Sequence, residues 1–115
     1  MVSWEVLYYD TEGGQTPIED FLNGLPKKAR AKCLAYIDLL AEKGFALPAS
    51  YIGKVRDEIW ELRPEWSGTE YRFFYAALVN KRFVVLHAIT KKSRKLKQKD
   101  IELAKTRYAE VARRI

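Results

Sequence analysis

Two long runs dominate what this chain can become. Glu70–Leu78 (EYRFFYAAL) and Arg82–Thr90 (RFVVLHAIT) are rich in aromatic and β-branched residues, and only Val79-Asn80-Lys81 separates them. A linker that short cannot carry a crossover, so two strands here must run antiparallel, with Asn80-Lys81 as their turn. A shorter run, Ile59–Arg63, precedes them. Pro64 stops it, because proline has no N–H for a sheet ladder, and Ser67-Gly68 marks the next turn. The three runs therefore predict an antiparallel meander. Strand alternation puts Tyr71, Phe73, Tyr75 and Ala77 on one face and Arg72, Phe74, Ala76 and Leu78 on the other. The last run is nearly all apolar, as a central strand covered on both faces should be.

The rest of the chain reads as support. Ser3–Tyr9 is a strand, with Trp4, Val6 and Tyr8 alternating against Glu5 and Leu7, and Thr11–Gly14 is a turn. Thr16-Pro17-Ile18-Glu19 opens a helix: Thr16 as cap, Pro17 in the first helical position, Glu19 completing a capping box. Ile18, Phe21, Leu22 and Leu25 form its apolar stripe, and Asn23-Gly24 ends it. Pro26 opens a longer helix to about Lys43, with Ala29, Cys33, Tyr36, Ile37 and Leu40 on one face and Gly44 as the stop. Cys33 lies in that stripe and reads as core. Residues 45–51 form a loop with Pro48, and whether Lys54 and Arg56 begin a strand is left open. Asp100–Arg113 is a last helix, with Ile101, Ala104, Tyr108 and Val111 as its apolar face and Arg113-Arg114 complementing its dipole. The expected fold is α+β and antiparallel-rich: strand, two helices, three-strand meander, C-terminal helix. The helices should pack on one face, and the other face should carry Arg72 and Arg63.

At 115 residues the expectation is one domain, and 48% apolar residues suffice for a core. No run of about 20 apolar residues suggests a membrane span, and MVSWEVLYYD does not read as a signal peptide. The single Cys33 excludes an internal disulfide, which fits a reducing cytoplasm. One histidine and one cysteine do not make a typical zinc site, so neither metal nor cofactor is expected. Charge is uneven. Residues 1–24 hold five acids and no lysine or arginine, whereas the remainder holds 21 basic and 10 acidic residues, which gives the net +6. Six of the nine residues from Lys91 to Lys99 are basic: Lys91, Lys92, Arg94, Lys95, Lys97 and Lys99. A charge run is commonly a solvated loop. Here arginines also sit in apolar strands, and a buried arginine is costly unless an anion meets it. The combination suggests a polyphosphate, a ribosome or an acidic protein as partner.

In order, IWELRP, EYRFFYA, FVVLHAITKK and a helix opening DIELAKTR resemble the phage-derived HigB branch of the RelE/ParE toxin superfamily. Its pattern is a strand ending E-L-R, then Y-R-x-x-Y, L-H-x-x-x-K-K and an E-x-A helix. The resemblance covers nearly the whole chain. It implies a RelE-like fold, a ribosome-dependent mRNA endonuclease and neutralisation by a helix-turn-helix antitoxin of the HigA type. By the same resemblance Arg72 would contact the scissile phosphate. Arg63 matches the E-L-R arginine, Lys91 and Lys92 match the K-K pair, and Lys54 and Arg56 lie where RelE-type members carry basic residues. RelE-type members also have a tyrosine in the tail after the last strand. SRKLKQK has none, which leaves the general acid or base unassigned.

RNA cleavage of this kind needs the 2′-OH to lose a proton, the phosphate to be held and the leaving oxygen to be protonated, and surrounding cations suffice to stabilise the added charge. Arg72 and Arg63 would bind the phosphate through their forked guanidinium groups. Lys91 or Lys92 would serve as base, with neighbouring cations lowering its pKa. Arg94, Lys95, Lys97 and Lys99 would bind RNA or ribosome, and Tyr75 or Tyr71 would stack a base. The tyrosines also read as core, Arg63 as a partner of Glu58 or Glu65, and His87 as either a satisfied strand residue or an acid–base group. Arg72→Ala is expected to leave the fold intact and remove activity. Two other readings remain: a ParE-like gyrase inhibitor acting by binding alone, and a non-catalytic nucleic-acid-binding module.

Overall fold

The computed structural model describes residues 3–92 and 97–114. Among them the order is β1 (Glu5–Tyr8), α1 (Pro17–Asn23), α2 (Lys27–Lys43), a 3-10 turn (Gly44–Ala46), β2 (Ile52–Arg56), β3 (Ile59–Leu62), β4 (Glu65–Trp66), β5 (Thr69–Leu78), β6 (Arg82–Lys91) and α3 (Gln98–Arg114). The sheet runs β1-β6-β5-β3-β2, with the short β4 folded back on β5. It is mixed: β1 lies parallel to β6, and the other pairs are antiparallel.

The expected meander forms, and local turn chemistry sets it. Ser67 and Gly68 join β4 to β5 with φ of 52° and 80°, and Asn80 and Lys81 take φ of 63° and 53° between β5 and β6. Left-handed backbone at both central residues matches the twist of a tight hairpin, and Gly and Asn tolerate it best. Pro17 opens α1 as expected, but the Thr16 hydroxyl makes no capping bond, so the capping box does not form. Lys54 and Arg56, whose place the sequence left open, belong to a strand, β2, paired with β3. Two points differ further from the expectation. Residues 65–66 add β4 where only a turn was expected. The helices also do not all lie on one face.

The faces follow from the pairing. Phe21 of α1 meets the rings of Tyr71 and Phe73 edge-on, at 6.4 and 5.7 Å between centroids. Trp4, Phe45, Trp60, Tyr75 and Phe83 continue that side, and the buried residues of α2 (Ala29, Cys33, Ile37, Leu40) join the same core. The alternate residues of β5 point away from it, and there Phe74 stacks on His87, which binds Asp100 of α3. Thus α1 and α2 cover one face, and α3 lies on the other.

A bulge in β6 divides its side chains between the faces. Val85 pairs with Tyr75, but the next pair is His87 with Phe74, leaving Leu86 without a partner. The extra residue reverses the alternation. Phe83 and Val85 therefore face the aromatic core, whereas His87, Ile89 and Lys91 join Arg72 on the α3 side. The Leu86 carbonyl is taken instead by Arg107 of α3, which donates to it at 2.9 Å. Cys33 is fully buried and its thiol is pushed up to about 11 by burial, in line with a core role.

A candidate anion-binding site on the α3 face

The face that α3 covers also carries a compact group of charges. It starts from Glu61, which β3 presents beside Phe74 of β5. Glu61 is buried and lies between two guanidinium groups. Arg63 reaches its Oε2 with both Nε and Nη2 at 2.9 Å. Arg72 brings Nε to 3.3 Å from its Oε1, a close ionic contact without hydrogen-bond alignment. Arg72 also donates from Nη1 to the Tyr71 carbonyl at 2.9 Å and from Nη2 to Glu70 Oε1 at 2.7 Å. The Arg72 side chain is only 7% exposed. A charge that deep persists because two carboxylates and a carbonyl replace its water.

Arg63 is more open, at 35%. It donates from Nη1 to the Ala49 carbonyl at 2.9 Å, so the loop before β2 anchors it. Its guanidinium lies over Gly53 of β2. A Cβ there would overlap Nη2 and come within 2.7 Å of Cζ. The missing side chain of Gly53 is what lets this arginine lie flat on the sheet edge. Arg63 therefore pairs with Glu61, not with Glu58 or Glu65.

Lys91 pairs in register with Glu70 across β5 and β6. The Glu70 carboxyl is held below the ordinary glutamate range, first by its hydrogen bond and charge contact with Arg72, then by Lys91 and Arg63. Of the cations singled out in the sequence, Arg72 touches this carboxylate and Lys91 stands opposite it on the neighbouring strand. His87 stands on the same face. Its Nε2 is 2.8 Å from Asp100 Oδ1, its ring stacks on Phe74 at 5.7 Å, and its side chain is 17% exposed. A carboxylate accepts, so Nε2–H is the donor to Asp100, and Nδ1 has no hydrogen-bond partner among the described residues.

The remaining residues divide. Lys92 is exposed directly after β6, and Lys97 and Lys99 are exposed around the start of α3. Arg56 reaches α3, with Nη2 donating to Gln98 Oε1 at 3.3 Å and Nη1 3.8 Å from Glu102. Lys54 lies on the opposite face, its ammonium 5.4 Å from the centre of the Trp60 ring, so it does not join Arg63 and Arg72. Arg94 and Lys95 lie outside the described residues. Tyr75 must be corrected: it is fully buried, packs edge-on against Phe83 at 5.2 Å, and burial pushes its hydroxyl well above the usual phenol range. It cannot stack a base in this arrangement. Tyr71 is buried as well.

Sequence reasoning passed over Glu61, Glu70, Asp100 and Gly53. Glu61 and Arg72 are distant in the chain and meet only through the β3–β5 register. A usable signal was nonetheless present: Glu61 stands two residues before Arg63 and Glu70 two before Arg72, the same-face spacing of a strand.

A mixed sheet with a helical pair on one face, a single helix on the other and paired arginines beside that helix defines a small α+β protein with a cationic site. The chain belongs to the phage-derived Gp49-like protein family (DUF891), whose model matches residues 20–109. That is a family of toxins from toxin–antitoxin pairs, related to RelE-type toxins. The matched span runs from α1 into α3 and contains every residue of the charged group. No curated protein matches the chain. No helix among the described residues is long and apolar enough to cross a membrane.

Proposed function

We propose that this chain is a HigB-type toxin with a RelE-like fold, a ribosome-dependent endonuclease of mRNA held in check by a helix-turn-helix antitoxin. The observation that carries the proposal is the grouping of Arg63 and Arg72 about the buried Glu61, with Lys91 opposite the Glu70 that Arg72 also holds, beside a histidine oriented by an aspartate. In this reading the guanidinium groups hold the scissile phosphate and stabilise the charge that develops on it. The 2′-OH attacks the adjacent phosphorus and the 5′ oxygen leaves. His87, through Nδ1, is the proton-transfer group best supported by geometry, because Asp100 fixes its ring. Lys91 and Lys92 then contribute charge in place of a base. The protein's own cations supply the electrostatic stabilisation, so a metal-independent reaction is proposed. Lys97, Lys99 and Arg56 extend the positive surface toward ribosomal RNA, and phosphate contacts of that kind make binding salt-dependent.

Among the described residues the site holds no second positioned acid–base group, and the ribosome is assigned the alignment of the 2′-OH. Purified protein should cut mRNA in translating ribosomes and leave the same naked RNA largely intact, as read by mapping transcript ends. Equal rates on naked and ribosome-bound RNA would remove the ribosome from the account. Inhibition of gyrase supercoiling without any RNA cleavage would replace it with the binding-only reading.

A further inference from the structure

Arg72, the residue on which the proposed function leans most, is not free in this structure. Of its three partners, two are fixed. The Tyr71 carbonyl is backbone, and Glu61 is buried and held on its other oxygen by Arg63. The third is different in kind. Glu70 has a side chain 46% exposed, at the open end of β5, and it holds Nη2 of Arg72 at 2.7 Å. Its carboxylate is also the point where Arg72, Lys91 and Arg63 all act favourably on a negative charge. A carboxylate and a phosphate present the same paired oxygens to a guanidinium edge.

We infer that Glu70 is an exchangeable internal anion: its carboxylate occupies the position of the RNA phosphate and swings into solvent when the phosphate binds. The inference rests on the proposed function for the identity of the anion, and it assigns that site its own regulation. Glu61 would not take part in the exchange. It stays between the two arginines and keeps their spacing when Glu70 leaves. In the free protein Glu70 offsets the charge of Arg72, which lowers affinity for any stray polyanion. On the ribosome, where RNA phosphate is abundant and aligned, the exchange proceeds. Exchange of one charged acceptor for another also keeps Arg72 partnered throughout, avoiding the cost of an unpaired buried guanidinium.

Glu65 provides the control that separates exchange from bulk charge. It pairs directly with Glu70 across β4 and β5 and is exposed, so Glu65→Gln removes the same charge from the same corner without touching Arg72. The experiment measures binding of a short single-stranded RNA with a 2′-O-methyl group at each sugar, which cannot be cleaved by 2′-OH attack, to the full chain at fixed salt. Glu70→Gln should bind about 10-fold more tightly than the native protein, since a charge-assisted hydrogen bond to Arg72 is replaced by a weaker neutral one. Glu65→Gln should change affinity about 2-fold or less, and the double variant Glu70→Gln/Arg72→Gln should lose the gain. Equal gains for Glu70→Gln and Glu65→Gln would overturn the inference in favour of simple charge. No gain, or a loss, for Glu70→Gln would overturn it by making Glu70 a structural partner only. The same variants assayed for ribosomal mRNA cleavage separate the two ideas. A selective binding gain without cleavage by any form keeps the exchange and removes the nuclease, whereas cleavage without the gain does the reverse.

Discussion

The two faces of the sheet are made by the same strands and serve opposite ends. On the α1–α2 side, Trp4, Phe45, Phe73, Tyr75 and Phe83 interlock edge to face and stack. On the α3 side, the same sheet presents Glu61, Arg63, Glu70, Arg72 and Lys91. The aromatic face centres on the fully buried Phe73, Tyr75 and Phe83, and it supplies much of the burial that holds the domain together. The charged face contributes little net stability, because ion pairs return roughly what desolvation costs. A protein that keeps such a face at an interior-like position does so against its own stability, which is the expected signature of a functional site.

The comparison can be broken from either side, beginning with the largest effect. Phe73→Ala on the aromatic face should cost about 3–5 kcal/mol. With total stabilities of about 5–15 kcal/mol, that change alone should leave a large unfolded fraction. Denaturant titration reads it. If the cost is under about 1 kcal/mol, the aromatic face is not the one that carries stability.

Arg72→Ala comes next and has two consequences. It leaves one oxygen of the buried Glu61 without its cation and removes the partner of Glu70, so about 3 kcal/mol of stability should go with the activity. The expectation that this change leaves the fold untouched does not survive the burial of Arg72 among its carboxylates. Arg72→Lys should keep more of the stability while recovering only part of the activity, because the fork that meets Glu61 and Glu70 separately is lost. Circular dichroism melting alongside growth inhibition separates the two effects.

Gly53→Ala is a sharper tool because it touches no charge. The new methyl must displace the Arg63 guanidinium from the sheet edge. Activity should fall at least 10-fold, with a change in stability of about 1 kcal/mol or less. Unchanged activity would mean that Arg63 works from another position. The smallest effect is in pH. The Glu70 carboxyl lies below its ordinary range in the folded state, so it contributes stability that is present above the unfolded glutamate pKa and lost as pH falls through the folded value. The stability difference between the native protein and Glu70→Gln should therefore be present near neutrality, persist through mild acid and vanish only below the depressed Glu70 value. Exposure and salt keep it small.

Much of the aromatic face was legible in the sequence, and rather less of the charged one. The meander, the start of α1 and the stripe of α3 are written in turns and periodicities that act over a few residues. The short run IGKVR of β2 carries no alternation strong enough to declare itself, and its place is fixed only by pairing with β3. Arg72 and Arg63 could be singled out from the sequence, but their partners could not. The decisive device is the bulge at Leu86, which turns His87 and Lys91 toward Arg72. Strict alternation along β6 would have put His87 with Phe83 and Val85 in the aromatic core. Tyr75 shows the converse: an aromatic residue near the site by number is, by face, buried away from it.

The central claim is that the charged face holds a phosphate. Arg63 tests it most directly, because it is half-exposed and its removal should spare the core. The measurement is the rate of mRNA cleavage in a purified translation reaction, read by transcript-end mapping, for the native protein and for Arg63→Ala shown to melt cooperatively. Loss of one positioned donor to a developing oxyanion should slow cleavage about 10²- to 10³-fold. A folded Arg63→Ala protein that cuts at the native rate would contradict the account.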